Sequence, residues 1–224
     1  MSYISVAIDG PAGAGKSSVA KVVAKETGFV YVDTGAMYRA AAYAAIQKGI
    51  NIENSQSEVE KLVGNIEIAL TYHNGVLQVY LDGEDISDKI RTPQISKGAS
   101  AVATMGGVRK KLVLMQQEMA KKADIIMDGR DICSTVLPNA TIKIFLTASV
   151  DTRAKRRYDE LVEKGEKCDF EQIKLDIIAR DKNDSEREIS PLRKTDDSLL
   201  IDTSDMTFNE VVDKIKNLIK DVSL

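Results

Sequence analysis

The sequence predicts an α/β fold built on a five-stranded parallel sheet with helices on both faces and a small antiparallel β insertion. Three observations predict it. Five short β-rich runs are almost continuously apolar, without the alternation of a half-exposed strand, as expected for strands covered on both sides. Helical patterns fall between or after them, which is the order of a parallel sheet with right-handed crossovers. One segment departs from this order and carries an Asn-Gly pair, the strongest short hairpin signal.

Taken in order, Ile4–Ile8 is the first strand, followed by a glycine-rich stretch and a helical run Ser17–Lys25 that should stop at Gly28. Phe29–Val32 is the second strand, and the helix after it should end at Gly49. Ile66–Tyr72 and Val76–Leu81 flank His73-Asn74-Gly75 as a hairpin inside an insertion spanning about Ser57–Ile90. Thr92-Pro93 supplies an N-cap and a proline at the first helical position. Ile125–Met127, Ile142–Leu146 and Leu199–Ile201 complete the sheet. Asp169 with Gln172, and Thr207 with Glu210, have the spacing of capping boxes, and Gly165 should end a helix.

Composition narrows the function. A chain of 224 residues with 43% apolar content builds one compact domain, or a core with an insertion, and is too apolar to be disordered. A formal charge of −3 argues against binding nucleic-acid polymers, which needs a basic face. The single histidine, His73, cannot build a His-rich metal site, and its place beside a hairpin turn makes it a solvated residue rather than a catalytic base. Cys133 and Cys168 stand 35 residues apart and read as reduced thiols, with Cys133 packed as a small apolar side chain. No signal peptide and no apolar run near the ~20 residues of a membrane span is present, so the expectation is a cytoplasmic protein that does not associate with membranes. With no long exposed apolar stripe, a monomer is expected.

Gly10-Pro11-Ala12-Gly13-Ala14-Gly15-Lys16-Ser17 fits G-x-x-x-x-G-K-[ST], between a predicted strand and a predicted helix. Glycines let backbone N–H groups turn inward around an anion, and the helix N-terminus adds partial positive charge. Gly10 to Ser18 are therefore the expected ATP-binding residues, with Lys16 on the β- and γ-phosphates and Ser17 holding Mg²⁺. No guanine-reading N-K-x-D motif follows a late strand; Asp181-Lys182-Asn183-Asp184 lies in a charged helical stretch.

A kinase needs a second site, and the arginines point to one. Arg39 lies just past the second strand and Arg130 immediately past the third, where open α/β sheets bind ligands. Arg153, Arg156 and Arg157 cluster on one predicted helix, and Arg180 and Asp184 share a helix face. A guanidinium binds phosphate oxygens in pairs and stays charged at any working pH.

Asp33-Thr-Gly-Ala-Met-Tyr-Arg39, Asp128-Gly-Arg-Asp131 and Arg180-Asp-x-x-Asp184-x-x-Arg187, together with the phosphate loop, resemble the bacterial cytidylate kinases, a nucleoside monophosphate kinase family. The resemblance covers almost the full chain and implies a P-loop kinase fold. It implies a core (1–56, 91–148, 168–224), a nucleoside-monophosphate-binding insertion (57–90) and a short helical lid (149–167). It implies that ATP phosphorylates CMP or dCMP, with Mg²⁺ as cofactor. Arg39, Arg130 and Arg187 would hold the acceptor phosphate, with Thr34 beside them where some members carry serine. Ser100, Arg109 and Asp131 would read the cytosine edge, Arg180 and Asp184 the sugar hydroxyls. Lys16, Arg130, Arg153 and Arg157 would be the catalytic cations, the last two from the lid. Cytosine offers an amine donor beside an acceptor, so a carboxylate paired with a hydroxyl or guanidinium separates it from uracil. The alternatives are a P-loop kinase for another small acceptor and a nucleotide-binding regulatory switch.

Overall fold

The computed structural model describes residues 3–73 and 76–222. In chain order the first elements are β1 (Ser5–Asp9), α1 (Lys16–Thr27), β2 (Val30–Asp33), α2 (Thr34–Gln47) and α3 (Gln56–Asn65). Next come β3 (Ile68–His73), β4 (Val76–Leu81), β5 (Glu84–Asp85), α4 (Pro93–Val102) and α5 (Gly106–Ala120). The remainder is β6 (Ile125–Gly129), a π-helical turn (Ile132–Val136), β7 (Ile142–Thr147), α6 (Val150–Glu163), α7 (Phe170–Glu186), β8 (Leu199–Asp202) and α8 (Phe208–Val222). Two compact units result, Met1–Tyr31 with Ala123–Leu224, and Val32–Lys122.

The five expected strands form one sheet in the order β2-β6-β1-β7-β8. The pairings of β1 with β6 and β7, and of β7 with β8, are parallel. Consecutive residues Val6, Ala7 and Ile8 are all fully buried, so the central strand is covered on both faces, which is why its sequence does not alternate. In the first unit, Val19, Ala20 and Val23 of α1 and Val211, Val212, Ile215 and Ile219 of α8 share a core with Val6, Ile8, Ile144 and Leu146. The expectation of two-sided burial fails at β8, where Leu199 and Leu200 are exposed and only Ile201 is buried. β8 is an edge strand, and an edge has fewer neighbours to cover it.

The second unit packs α2 to α5 with a separate antiparallel sheet, β3-β4-β5. Ala41, Ala42 and Ala45 on α2 keep that helix thin. A Cβ at Gly98 of α4 would come 3.1 Å from the Ala42 methyl, so small residues set the close approach of these helices. The third strand, β5, has no sequence signal of its own and is only two residues long. β3 begins two residues later than its apolar run suggests, because Ile66 closes α3 with its N–H on the Leu62 carbonyl. The Asn74-Gly75 turn and the side chain of His73 lie outside the described residues.

Most of the capping signals are obeyed. Thr92 accepts the Ile95 N–H, with Pro93 at the start of α4. Thr207 and Glu210 form a reciprocal box, whereas Asp169 caps Gln172 while the Gln172 amide turns to Asp176, leaving half a box. Among the described residues no helix is long and apolar enough to cross a membrane. Both cysteines are free thiols, and burial pushes the Cys133 thiol up to about 12.

Candidate active site

β1 and β6 are hydrogen-bonded neighbours, with Asp9 opposite Gly129. The chain therefore leaves both strands at the same level, into the glycine-rich loop from one and into Arg130 and Asp131 from the other. This is the carboxyl edge at which open α/β sheets place ligands.

The loop is a backbone construction. Gly10 has φ 150°, and a Cβ there would collide with the Leu146 carbonyl oxygen. Gly15, at φ 88°, stands at the N-terminus of α1 without a side-chain cap, so the first N–H groups of the helix are presented to an anion. Lys16 is buried, and its Nζ donates to the carbonyls of Gly10 and Pro11, both at 2.7 Å. Burial, then the neighbouring Arg130 charge, push its pKa well below the ordinary lysine range, against the pull of Asp128 and Asp9. Phosphate arriving in the loop would supply the negative charge that this ammonium lacks. Ser18 is exposed on α1.

Asp128 opens the Asp128-Gly-Arg-Asp131 motif without an expected role of its own, and it joins two elements of the site. The Ser17 hydroxyl donates to one of its oxygens at 2.7 Å and the Tyr31 hydroxyl to the other at 2.6 Å. The available signal was an acid directly after the apolar run Ile125–Met127. A serine hydroxyl against a carboxylate suits a hard cation with oxygen ligands. Among the described residues no three His, Cys, Asp or Glu side chains gather into a metal cluster, so such a cation would draw further ligands from nucleotide and water.

Carboxylates pair with Arg130, Arg153, Arg157 and Arg187 in the first unit. Arg130 Nε donates to Asp184 at 2.7 Å, and Arg187 reaches Asp131 at 3.5 Å while its Nε donates to the Ser190 carbonyl at 2.7 Å. Asp131 and Asp184 are both buried. Arg180 is exposed on α7, one turn before Asp184. Arg153 is only 4% exposed; it donates to the carbonyls of Ala148 and Ala12, and pairs with Asp181 at 2.7 Å. A guanidinium bonded to the phosphate loop itself is more than the sequence suggested for this helix. Arg156 is bonded to Thr203, and Arg157 pairs with Glu160 on the exposed side of α6.

The second unit carries the remaining predicted residues. Arg39 pairs with Asp33 at 2.9 Å, and the other oxygen of Asp33 caps α2 through the Ala36 N–H. Thr34 is buried at the first position of α2. Arg109 is buried on α5, with Nη1 3.3 Å from the Tyr38 hydroxyl, and Ser100 bonds back to Ser96 on α4.

Fold and loop define a P-loop phosphotransferase architecture. The family model described as cytidylate kinase matches residues 6–221. A cytidylate kinase of Bacillus cereus (strain B4264) is 50% identical over 219 residues, 98% of this chain and 97% of its own length. One from Bacillus thuringiensis (strain Al Hakam) is 49% identical over the same extent. The fold alone is shared with an uncharacterised protein from Eubacterium ventriosum, at TM-score 0.54 and 13% identity, covering 97% of this chain and 98% of that one. The chain belongs to the cytidylate kinase family.

Proposed function

We infer that this enzyme transfers the γ-phosphoryl group of ATP to CMP, giving ADP and CDP, and that dCMP is accepted beside CMP. The observation that carries the reading is the shared level of the loop after β1 and the Arg130-Asp131 corner after β6, in a chain half identical to cytidylate kinases.

A phosphate monoester loses its second proton near pH ~6, so the CMP phosphate arrives as an anionic nucleophile and no general base is required. What remains for the protein is positioning and charge neutralisation. Lys16 exchanges its two loop carbonyls for the donor phosphates. Arg39, Arg130 and Arg187 exchange carboxylate partners for the acceptor phosphate, and Arg180 and Asp184 take the sugar. Ser100, Arg109 and Asp131 read the cytosine edge, with Asp131 accepting from the exocyclic amine; uracil would set an acceptor oxygen against the same carboxylate. Mg²⁺ brought with ATP would add charge neutralisation at the phosphates, and Ser17, whose hydroxyl donates to Asp128, would help hold it. The segment 149–167 serves as a lid whose Arg153 and Arg157 approach the donor phosphates, excluding water and so wasteful ATP hydrolysis.

A rate panel of ATP with CMP, dCMP, UMP, AMP and shikimate tests the reading. CMP and dCMP should be the fastest acceptors, with UMP behind. ADP formation with CMP no faster than with ATP alone would sink it.

A further inference from the structure

Asp131 occupies the cap position of the π-helical turn Ile132–Val136, yet its carboxylate makes no cap hydrogen bond. Aspartate is among the residues best suited to that task, and helical turns rarely leave their first N–H groups without an acceptor. Here the acceptor comes from far away in sequence. Asp9, the last residue of β1 and fully buried, takes the Ile132 N–H on Oδ1 and the Cys133 N–H on Oδ2, both at 2.8 Å. The Asp131 carboxylate reaches Arg187 at 3.5 Å.

We propose that Asp9 is a positioning residue for acceptor recognition: by capping the 132–136 turn in place of Asp131, it keeps the Asp131 carboxylate available to the cytosine. This rests on the base-reading role of Asp131 under the proposed function. Asp9 also directly precedes Gly10, so a single buried carboxylate ties the start of the phosphate loop to the corner that carries Arg130 and Asp131. Burial, offset by the two N–H groups and reinforced by the Asp131 charge, brings its pKa to about 6, so the carboxylate is ionised and accepts from both amides at neutral pH.

Asp9→Asn keeps the shape but replaces one acceptor by a donor, leaving an amide that the Asp131 carboxylate would turn back to satisfy. The test measures kcat and KM for CMP, UMP and ATP in the full-length enzyme, for Asp9→Asn, Asp131→Asn and the double variant. Asp9→Asn should raise the CMP KM and shrink the CMP-to-UMP ratio of kcat/KM, each about tenfold, with the ATP KM within about twofold. Added to Asp131→Asn, it should leave that ratio unchanged. Equal losses in both backgrounds, or a loss falling mainly on ATP, would overturn the proposal. So would a ratio lost in Asp131→Asn but kept in Asp9→Asn, which leaves base reading by Asp131 intact. A ratio kept in Asp131→Asn removes the base-reading role itself, and with it the positioning role of Asp9. Asp9→Ser, which leaves room for a water, goes through the same measurements if Asp9→Asn does not fold. Failure of both to fold overturns the proposal, since Asp9 would then be a requirement of the whole fold.

Discussion

The two ends of the proposed reaction are built differently. The donor end is mostly backbone: glycines at conformations few other residues tolerate and the N-terminus of α1, joined by a lysine bonded to its own loop and by Arg153 on the Ala12 carbonyl. The acceptor end is side chain: Arg130 with Asp184, Arg187 with Asp131, and, in the second unit, Arg39 with Asp33. A backbone site is fixed by the local sequence and offers little to tune. A site of paired charges is exchangeable in principle, since a phosphate that bound there would replace the carboxylate partner of each arginine. Such pairing also avoids the cost of an unpaired buried charge.

The largest effect should come from breaking the donor end. Lys16→Met should lower kcat by on the order of 10³-fold while the melting temperature holds or rises, because a buried ammonium is removed. Near-normal turnover would refute the role. Arg130→Lys should cost less, on the order of 10²-fold in kcat/KM for CMP, since an ammonium cannot reproduce the paired contacts of a guanidinium. ATP affinity, measured by titration calorimetry, should be unchanged, and an equal loss for both nucleotides would erase the contrast between the ends. Gly10→Ala should be felt in stability, by about 2 kcal/mol or more in urea unfolding, because the new methyl meets the Leu146 carbonyl. A neutral result would mean that the loop can shift.

The smallest effect is a slope. Folding raises Asp9 from its ordinary 3.8 to about 6, so the native state holds this proton more tightly than the unfolded chain. Its contribution to stability is full below about pH 4 and is lost as pH rises to about 6, on the order of 3 kcal/mol. Asp131, Lys16 and Cys133 are the titratable groups that act on it or respond to it. Unfolding midpoints at pH 4, 5, 6 and 7 should therefore differ between the wild-type enzyme and Asp9→Asn, the variant gaining on the wild type as pH rises. A constant difference would contradict the assignment.

The sheet was legible because its causes are local. Apolar runs, caps such as Thr92-Pro93 and stop glycines such as Gly28 act within a few residues, and each appears where the sequence places it. The glycine-rich loop was legible for the same reason. What escaped depends on pairing across the chain. Asp128 meets Ser17 from 111 residues away and Asp9 meets Ile132 across 123; the Asp128-Gly-Arg-Asp131 motif includes the first carboxylate, yet no local pattern records the distant partner of either. Leu199 and Leu200 show the opposite error, an apolar run that implied full burial because a sequence does not state which strand lies at the edge.

β1 is central in the sheet and first in the chain, and its partners are distant: Ser5 pairs with Ile125, and Val6 with Ile142. At ~5–20 residues per second, ribosomal synthesis leaves this strand without neighbours for roughly 6 to 24 seconds. The face shared with α1 waits longer still, for the four apolar residues of α8 that complete its core. The unit Val32–Lys122, with a core of its own, emerges in between. The second unit can therefore complete its core while the first strand of the parallel sheet still waits for its partners. Nascent chains stalled before α8 should leave the phosphate loop unable to hold ATP.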